Sequence, residues 1–419
     1  MKLLVLYQAA YTHVPCVLHY VDAFRKYSRH SVSFFNTSQT DTGLDFSAYD
    51  AVWLNFCSRR SYRSYDATPI LRAVANYDGL KLVSMQDEYD YTNEGRDMLI
   101  GVGADIVLTC VPKEHAARVY DGVEAQFEAI LTGYVSDDLL QHASPPVFLA
   151  DRDIAVGYRG RECPYRLGEI GWHKTEIGKR FKEACVRRGV VHNIESDEGS
   201  RIYGDEWFTF LKRCRVTLGC ESGSNVFDHD NSLFELIKGR WEKNKNIKYE
   251  DCRDEVAARQ CDFHMGQIGP RHLEMAAMKT AMVLVRGHYS GLLKAGEHYI
   301  PVEPDYSNVD DVLDQIEDLP TLEKITHRAF WDIARNEGIH YRGFIAGVDD
   351  LVDQATERER ISKLPVTTAP LGADPYLLRI MGEIVAQHKK IDEYLQGLTD
   401  AGFCIVRNGE DYSIARRPN

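Results

Sequence analysis

The ten cysteines, at 16, 57, 110, 163, 185, 214, 220, 252, 261 and 404, include no Cys-x-x-Cys pair. Without paired spacing there is no disulfide framework to read, and Cys252, Cys261 and His264 lack the spacing of a zinc site. The cysteines read as reduced thiols, most of them small core residues, and with no secretory leader they imply a cytoplasmic protein. Long apolar runs are also lacking. The opening MKLLVLYQ is too short for a signal or membrane span and reads as a first buried strand. Positive charge is in deficit: 50 Lys and Arg against 63 Asp and Glu leave a formal charge of −13. A protein devoted to nucleic-acid phosphates needs a basic face, so that class is set aside. The absence of internal repeats and low-complexity segments excludes repeat architectures.

What is present is an ordinary globular composition of 419 residues, 44% hydrophobic and 27% charged. At about 150 residues per domain this suffices for two or three domains. Twenty-three tyrosines within an 11% aromatic share suit stacking surfaces. Over residues 1–150, short apolar runs alternate with amphipathic stretches: strands are predicted at 2–7, 31–36, 51–56, 81–85 and 106–109, helices at 14–27 and 70–77. That alternation predicts a parallel, doubly wound α/β sheet. Ligands of such sheets bind outside the carboxyl ends of the strands. The loops there are reactive in composition. His13 follows the first strand, and a near-neutral pKa suits deprotonation of a hydroxyl. Arg59, Arg60 and Arg63 can hold an anion by bidentate contacts. Asp87, Glu88 and Asp90 crowd one loop, and close carboxylates push one pKa upward, as a base or acid requires. Each also has a plainer reading, as a hydrogen-bonded loop residue, a solvated face or a turn cap.

Pro145 and Pro146 mark an interdomain linker. A strand at 154–158 opens a second alternating series and runs into Gly157–Gly160, with Arg159 and Arg161 there and Lys174 in the helix beyond. A strand at 216–219 precedes the small-residue loop Cys220–Asn225, with Glu221 and Ser222 facing a bound ligand. Asp228-His229-Asp230 is formally an Asp-x-Asp metal signature, but turn-forming triplets are common by chance and no further ligands accompany it. Residues 231–262 read as a helical insertion. Helices follow at 309–316, 322–337 and 341–355. Beyond them lie a helix at 375–398, whose apolar stripe packs on the body or pairs two copies, and a hairpin at 403–415 across Asn408-Gly409.

The centre of the chain is 267–285, QIGPRHLEMAAMKTAMVLV. It predicts a loop, a helix opened by Pro270 and a strand at 281–285. Arg271 and His272 in the first helical turn make its mouth suited to a phosphate. Glu274, one turn in, can accept hydrogen bonds from two neighbouring hydroxyls, as on a ribose; the plainer reading is a solvated helix residue.

The series PRH-x-E-x-A, G-x-YSG and GEHYIPV-x-x-DYSN-x-D resembles the nucleotide-binding half of GT-B glycosyltransferases, family-1/family-4-like, of a bacterial polysaccharide or natural-product subgroup. The resemblance implies two Rossmann-like doubly wound domains facing across a cleft, with an extra C-terminal helical segment. It divides the chain into an acceptor-binding domain at 1–150, a nucleotide-sugar domain at 151–340, a helix crossing back at 341–364 and a tail at 365–419. It also implies transfer of a sugar from a nucleoside diphosphate donor to a polar, anionic or neutral acceptor without a metal. Glu274 then takes the ribose. Arg159, Arg161 and Lys174 supply the diphosphate clamp, Arg271 and His272 the helix mouth, and Glu221, Tyr289, Ser290 and Gly291 lie beside the donor. His13, Asp87 or Glu88 serves as base if configuration inverts, and the leaving phosphate serves if it is retained, the outcome the Glu274 unit favours. One position departs: where retaining family-4-type enzymes carry the first Glu of Glu-x7-Glu, this chain has Gly266. A nucleotide-sugar 2-epimerase and a non-catalytic sugar-nucleotide-binding partner are the alternatives.

Overall fold

Apolar tetrads such as Leu3–Leu6 and Ala51–Leu54 are buried along their whole length, as strands are when helices cover both faces of a parallel sheet. In the computed structural model, which describes residues 1–8, 15–38, 44–58, 68–362, 403–408 and 411–416, they form two such sheets. His13, Arg59, Arg60, Arg63 and the helix predicted at 375–398 lie outside the described residues.

The first sheet holds β1 (Lys2–Tyr7), β2 (Ser31–Asn36), β3 (Ala51–Leu54), β4 (Leu80–Ser84), β5 (Ile106–Thr109) and β6 (Gln126–Ala129), in the order β2-β1-β3-β4-β5-β6. All pairings are parallel, with Val5 between Phe34 and Trp53. The second holds β7 (Ile154–Arg159), β8 (His192–Glu195), β9 (Cys214–Gly219), β10 (Ala281–Val285) and β11 (Ile300–Val302), in the order β11-β10-β9-β7-β8, again parallel. Counted within each sheet, the first runs 2-1-3-4-5-6 and the second 2-1-3-4-5. The winding reverses where the first strand meets the third, and a doubly wound sheet opens its ligand crevice there. Two Rossmann-like α/β layers with interleaved helices are thus present, the arrangement the resemblance implies.

The edge strands β6 and β8 and the helices Thr92–Val102 and Lys113–Val119 were not among the expected elements. Each edge strand exposes a mostly polar sequence, QFEA and HNIE, so one inward residue carries too little period to register. The helix expected at 322–337 stops sooner. Leu319–Ala329 passes into a π-turn over Phe330–Ala334.

One compact body spans Met1–Asp349 and contains both sheets. Within it Asp228 N donates to Tyr89 O (2.9 Å), Asn93 N to His229 O (3.1 Å) and Gln267 Nε2 to Cys110 O (3.0 Å). The helix Tyr341–Ser362 starts against the first half, Tyr341 and Phe344 edge-on to Tyr20 at 5.4 and 5.3 Å. Asp349 accepts from Ser28 Oγ and Arg29 N, both at 2.8 Å. The second unit, 350–419, contains an antiparallel pair, β12 (Phe403–Asn408) and β13 (Asp411–Arg416), aligned from Phe403 opposite Arg416 to Asn408 opposite Asp411.

Candidate functional site

At the switch point of the second sheet, between the ends of β7 and β9, lies a cavity of ≈ 460 Å³. Its walls come from Tyr158–Arg161, Gly219–Ser222, the turn after β8 and the helix Pro270–Ala277. Six residues expected around a bound nucleotide line it together: Arg159, Arg161, Lys174, Arg271, His272 and Glu274. They come from three separate segments, and only the sheet order brings those segments to one place.

Charge here is unbalanced. Among the described residues Arg161, Lys174 and Arg271 have no carboxylate within ion-pair distance, so the cavity presents three uncompensated cations to a ligand. Arg271 is held by its flat neighbours, its guanidinium 5.4 Å from the Trp207 ring and 5.6 Å from the Tyr158 ring. Arg159 is committed to the protein: it donates to Tyr158 O (2.8 Å), Asn193 O (3.0 Å) and Asn193 Oδ1 (2.8 Å) above the Phe210 ring. Burial lowers its pKa.

His272 is buried, and its Nδ1 accepts the Gly269 N–H at 2.9 Å. Burial, aided by the Arg271 charge, pushes its pKa down to about 4. The ring is therefore neutral; Nδ1 also lies 3.2 Å from Gly269 O, and among the described residues Nε2 has no hydrogen-bond partner. One Glu274 oxygen accepts from Trp207 Nε1 at 2.7 Å, which fixes the carboxylate and leaves the other oxygen available. Desolvation raises the Glu274 pKa against the Trp207 bond and the Arg271 charge.

Glu221, Tyr289, Ser290 and Gly291 do not line this cavity; they form a structure beside it. Tyr289, Ser290 and Gly291 have φ of 48°, 55° and 73°, a left-handed run that costs the two non-glycine residues energy. The step from right-handed His288 to left-handed Tyr289 turns the N–H groups of these two residues to one side as a nest for an anion, while Gly291 N donates back to His288 O. The anion is the protein's own: Glu221 Oε1 accepts from His288 N at 2.8 Å and Tyr289 N at 2.7 Å. His264 Nε2 lies 2.9 and 3.0 Å from the two Glu221 oxygens. A Cβ on Gly266 would sit 2.2 Å from Glu221 Cδ, and one on Gly287 2.6 Å from it. The Glu221 carboxylate thus fills the space a side chain at Gly266 would need. Burial works to raise its pKa, but the His264 bond and the two N–H groups prevail and hold it below the usual carboxylate range.

The first-half carboxylates are placed differently. Glu88 is buried and accepts from the Thr109 hydroxyl, from Cys110 N (3.0 Å) and from the Tyr120 hydroxyl (2.8 Å). Asp87 accepts from the Tyr89 hydroxyl at 2.7 Å, and Asp90 pairs with Arg166. Their loop is docked on the second half. Asp228 caps a helix start, its oxygens accepting Leu233 N (3.1 Å) and Phe234 N (2.8 Å). Among the described residues no group of three His, Cys, Asp or Glu is arranged to hold a metal. Sequence reasoning missed Arg201, Tyr203 and Trp207 in the cavity wall, although the first two follow strand β8 and the carboxyl-end rule points there. It also missed the pairing of His264 with Glu221, for which spacing carries no signal.

No known family profile matches the sequence, and no curated protein matches it. Solved structures similar to the chain include Anabaena HepE in complex with UDP, at 11% identity and TM-score 0.47, covering 84% of this chain and 100% of that one. An alpha-glucosyltransferase in complex with UDP-glucose and abasic DNA is similar at 11% identity and TM-score 0.49, over 84% and 99%. A UDP-forming trehalose-phosphate synthase from Burkholderia xenovorans is similar at 11% identity and TM-score 0.41, over 84% and 99%. At these values the function is argued from the residues of the cavity.

Proposed function

We propose that this chain is a GT-B glycosyltransferase that binds a nucleoside diphosphate-sugar at the second sheet and transfers the sugar to a hydroxyl of a polar acceptor. The observation that carries it is the switch-point cavity. Arg161, Lys174 and Arg271, cations with no carboxylate within ion-pair distance among the described residues, line it and suit a diphosphate, and the Trp207-braced carboxylate of Glu274 suits the two hydroxyls of a ribose. As the bond between the anomeric carbon and the diphosphate breaks, charge grows on the leaving group. Arg161, Lys174 and Arg271 stabilise it without reorganising, and a metal is not needed for that purpose. Glu221, kept ionised by its nest, lies next to Cys220 and Ser222 of the cavity wall and offers a negative field for the sugar, the service the Gly266 position cannot give.

The reading we favour retains configuration. The acceptor oxygen forms the new bond to the anomeric carbon, the diphosphate departs with the electron pair of the old one, and the acceptor proton passes to a leaving-phosphate oxygen. Among the described residues Glu88 accepts from Thr109, Cys110 and Tyr120, which ties β5 to the Tyr120 region; His13, Asp87 or Glu88 would serve as base only if configuration inverts. The test is a thermal-shift panel of UDP, GDP, ADP, dTDP and CDP, with EDTA or magnesium, on wild type and Glu274→Ala. A nucleotide at about 100 times its Kd stabilises by about 2.7 kcal/mol. We expect one nucleotide to do so in EDTA and to lose the effect in Glu274→Ala; no shift with any nucleotide sinks the donor site.

A further inference from the structure

Back to back with the donor cavity, across the turn at 161–164, lies a larger groove of ≈ 1030 Å³. Arg161 and Lys174 face the first cavity, while their neighbours Glu162 and Thr175 face the second. One wall is the first half of the helix Gly168–Arg188. The other is the insertion, from the helix Ser232–Lys243 to residue 250. Such a volume is at the top of the roughly 300–1,000 Å³ range of small-ligand sites and exceeds what one monosaccharide fills.

Aromatic rings and six Lys or Arg side chains line it, against the three carboxylates of Glu162, Glu176 and Glu250. Trp172 and Tyr249 stack at 6.0 Å on the floor, and Trp241 on the rim is 50% exposed. An exposed indole on a groove edge is a contact surface rather than core. Lys245 places Nζ 3.1 Å from the centroid of that ring. Arg166, Arg180 and Lys238 are paired with Asp90, Glu176 and Glu235. Lys179, Lys245 and Lys248 have no carboxylate within ion-pair distance among the described residues. In a chain of net charge −13, a lining of six cations against three carboxylates beside aromatic rings marks a local preference for an anion that also presents apolar ring faces.

We propose that this groove binds an anionic oligosaccharide, with a pyranose face packed on Trp241 and uronate or sulfate groups on Lys179, Lys245 and Lys248. Naming the occupant a saccharide rests on the sugar-transfer reading of the cavity lined by Arg161 and Lys174, whose sequence neighbours Glu162 and Thr175 line this groove. A single-stranded nucleic acid or an acidic peptide also presents charge, and both enter the test.

Isothermal titration on the full chain uses hexagalacturonate, a heparin hexasaccharide, maltohexaose, oligo-dT and oligoglutamate. At least one anionic hexasaccharide should bind and quench tryptophan fluorescence. Its affinity should fall at least tenfold in Trp241→Ala and in Lys245→Ala/Lys248→Ala, while the nucleotide thermal shift stays unchanged. The proposal is overturned if neither anionic hexasaccharide binds, if both variants bind as wild type does, or if maltohexaose, oligo-dT or oligoglutamate binds more tightly. Groove-dependent saccharide binding without any nucleotide shift would keep the groove and remove the donor reading; a nucleotide shift without saccharide binding removes the groove alone.

Discussion

Glu221 is tied by two backbone N–H groups and one imidazole, and the pair it makes with His264 has a definite pH signature. The Glu221 bond, opposed by burial, raises the His264 pKa above 6.5, so the stability this pair contributes is fully present below 6.5 and is lost as pH rises through the folded value. The Glu221 pKa lies below 4.5, so its contribution is present above 4.5 and lost as pH falls through the lowered value. Both contributions coexist only between those limits. His264→Gln should therefore destabilise the protein at pH 6 and approach wild type as pH is raised well past the folded pKa, measured by urea unfolding at a series of pH values. A wild-type-to-variant difference that grows with pH would refute the pairing. The residue types here were legible as polar loop residues. Their partnership was not, because the gap at Gly266 is informative only when the Cβ that would stand there is seen to meet Glu221.

Among elements, the loop–helix–strand unit around Pro270 formed as its residues dictate: proline at the first turn, Leu273 and Met275–Met278 buried, then the fully buried strand Ala281–Val285. Strong period and clear punctuation made it legible. The helix Ser232–Lys243 depends instead on a residue outside it. Asp228 is buried and accepts two of the N–H groups at the helix start. Asp228→Ala should cost about 1–2 kcal/mol, the scale of a lost cap. Faster amide exchange should be confined to the first turns of that helix, with the nucleotide thermal shift retained. Uniform acceleration across both sheets would show that Asp228 carries more than this cap.

For the molecule as a whole, the helix Tyr341–Ser362 begins where the second sheet's last helices end and returns to the first half, where Asp349, 1% exposed, takes Ser28 Oγ and Arg29 N. Asp349→Ala strands two donors and should lower unfolding stability by about 1–3 kcal/mol, read by urea titration; a change below about 0.5 kcal/mol would show that water replaces the contact. The sequence by itself determined the two alternating series of strands and helices, the helix that carries Arg271, His272 and Glu274 after Pro270, and the pairing of the last two strands. Local period, turn residues and caps act between near neighbours, and those are written consecutively. Only the tertiary structure decided which loops share the switch-point cavity, that the N–H groups of His288 and Tyr289 hold Glu221, that Glu88 accepts from Thr109, Cys110 and Tyr120, and that the insertion forms a groove. These follow from strand order and burial, which join residues far apart in the chain and leave no periodic trace in it.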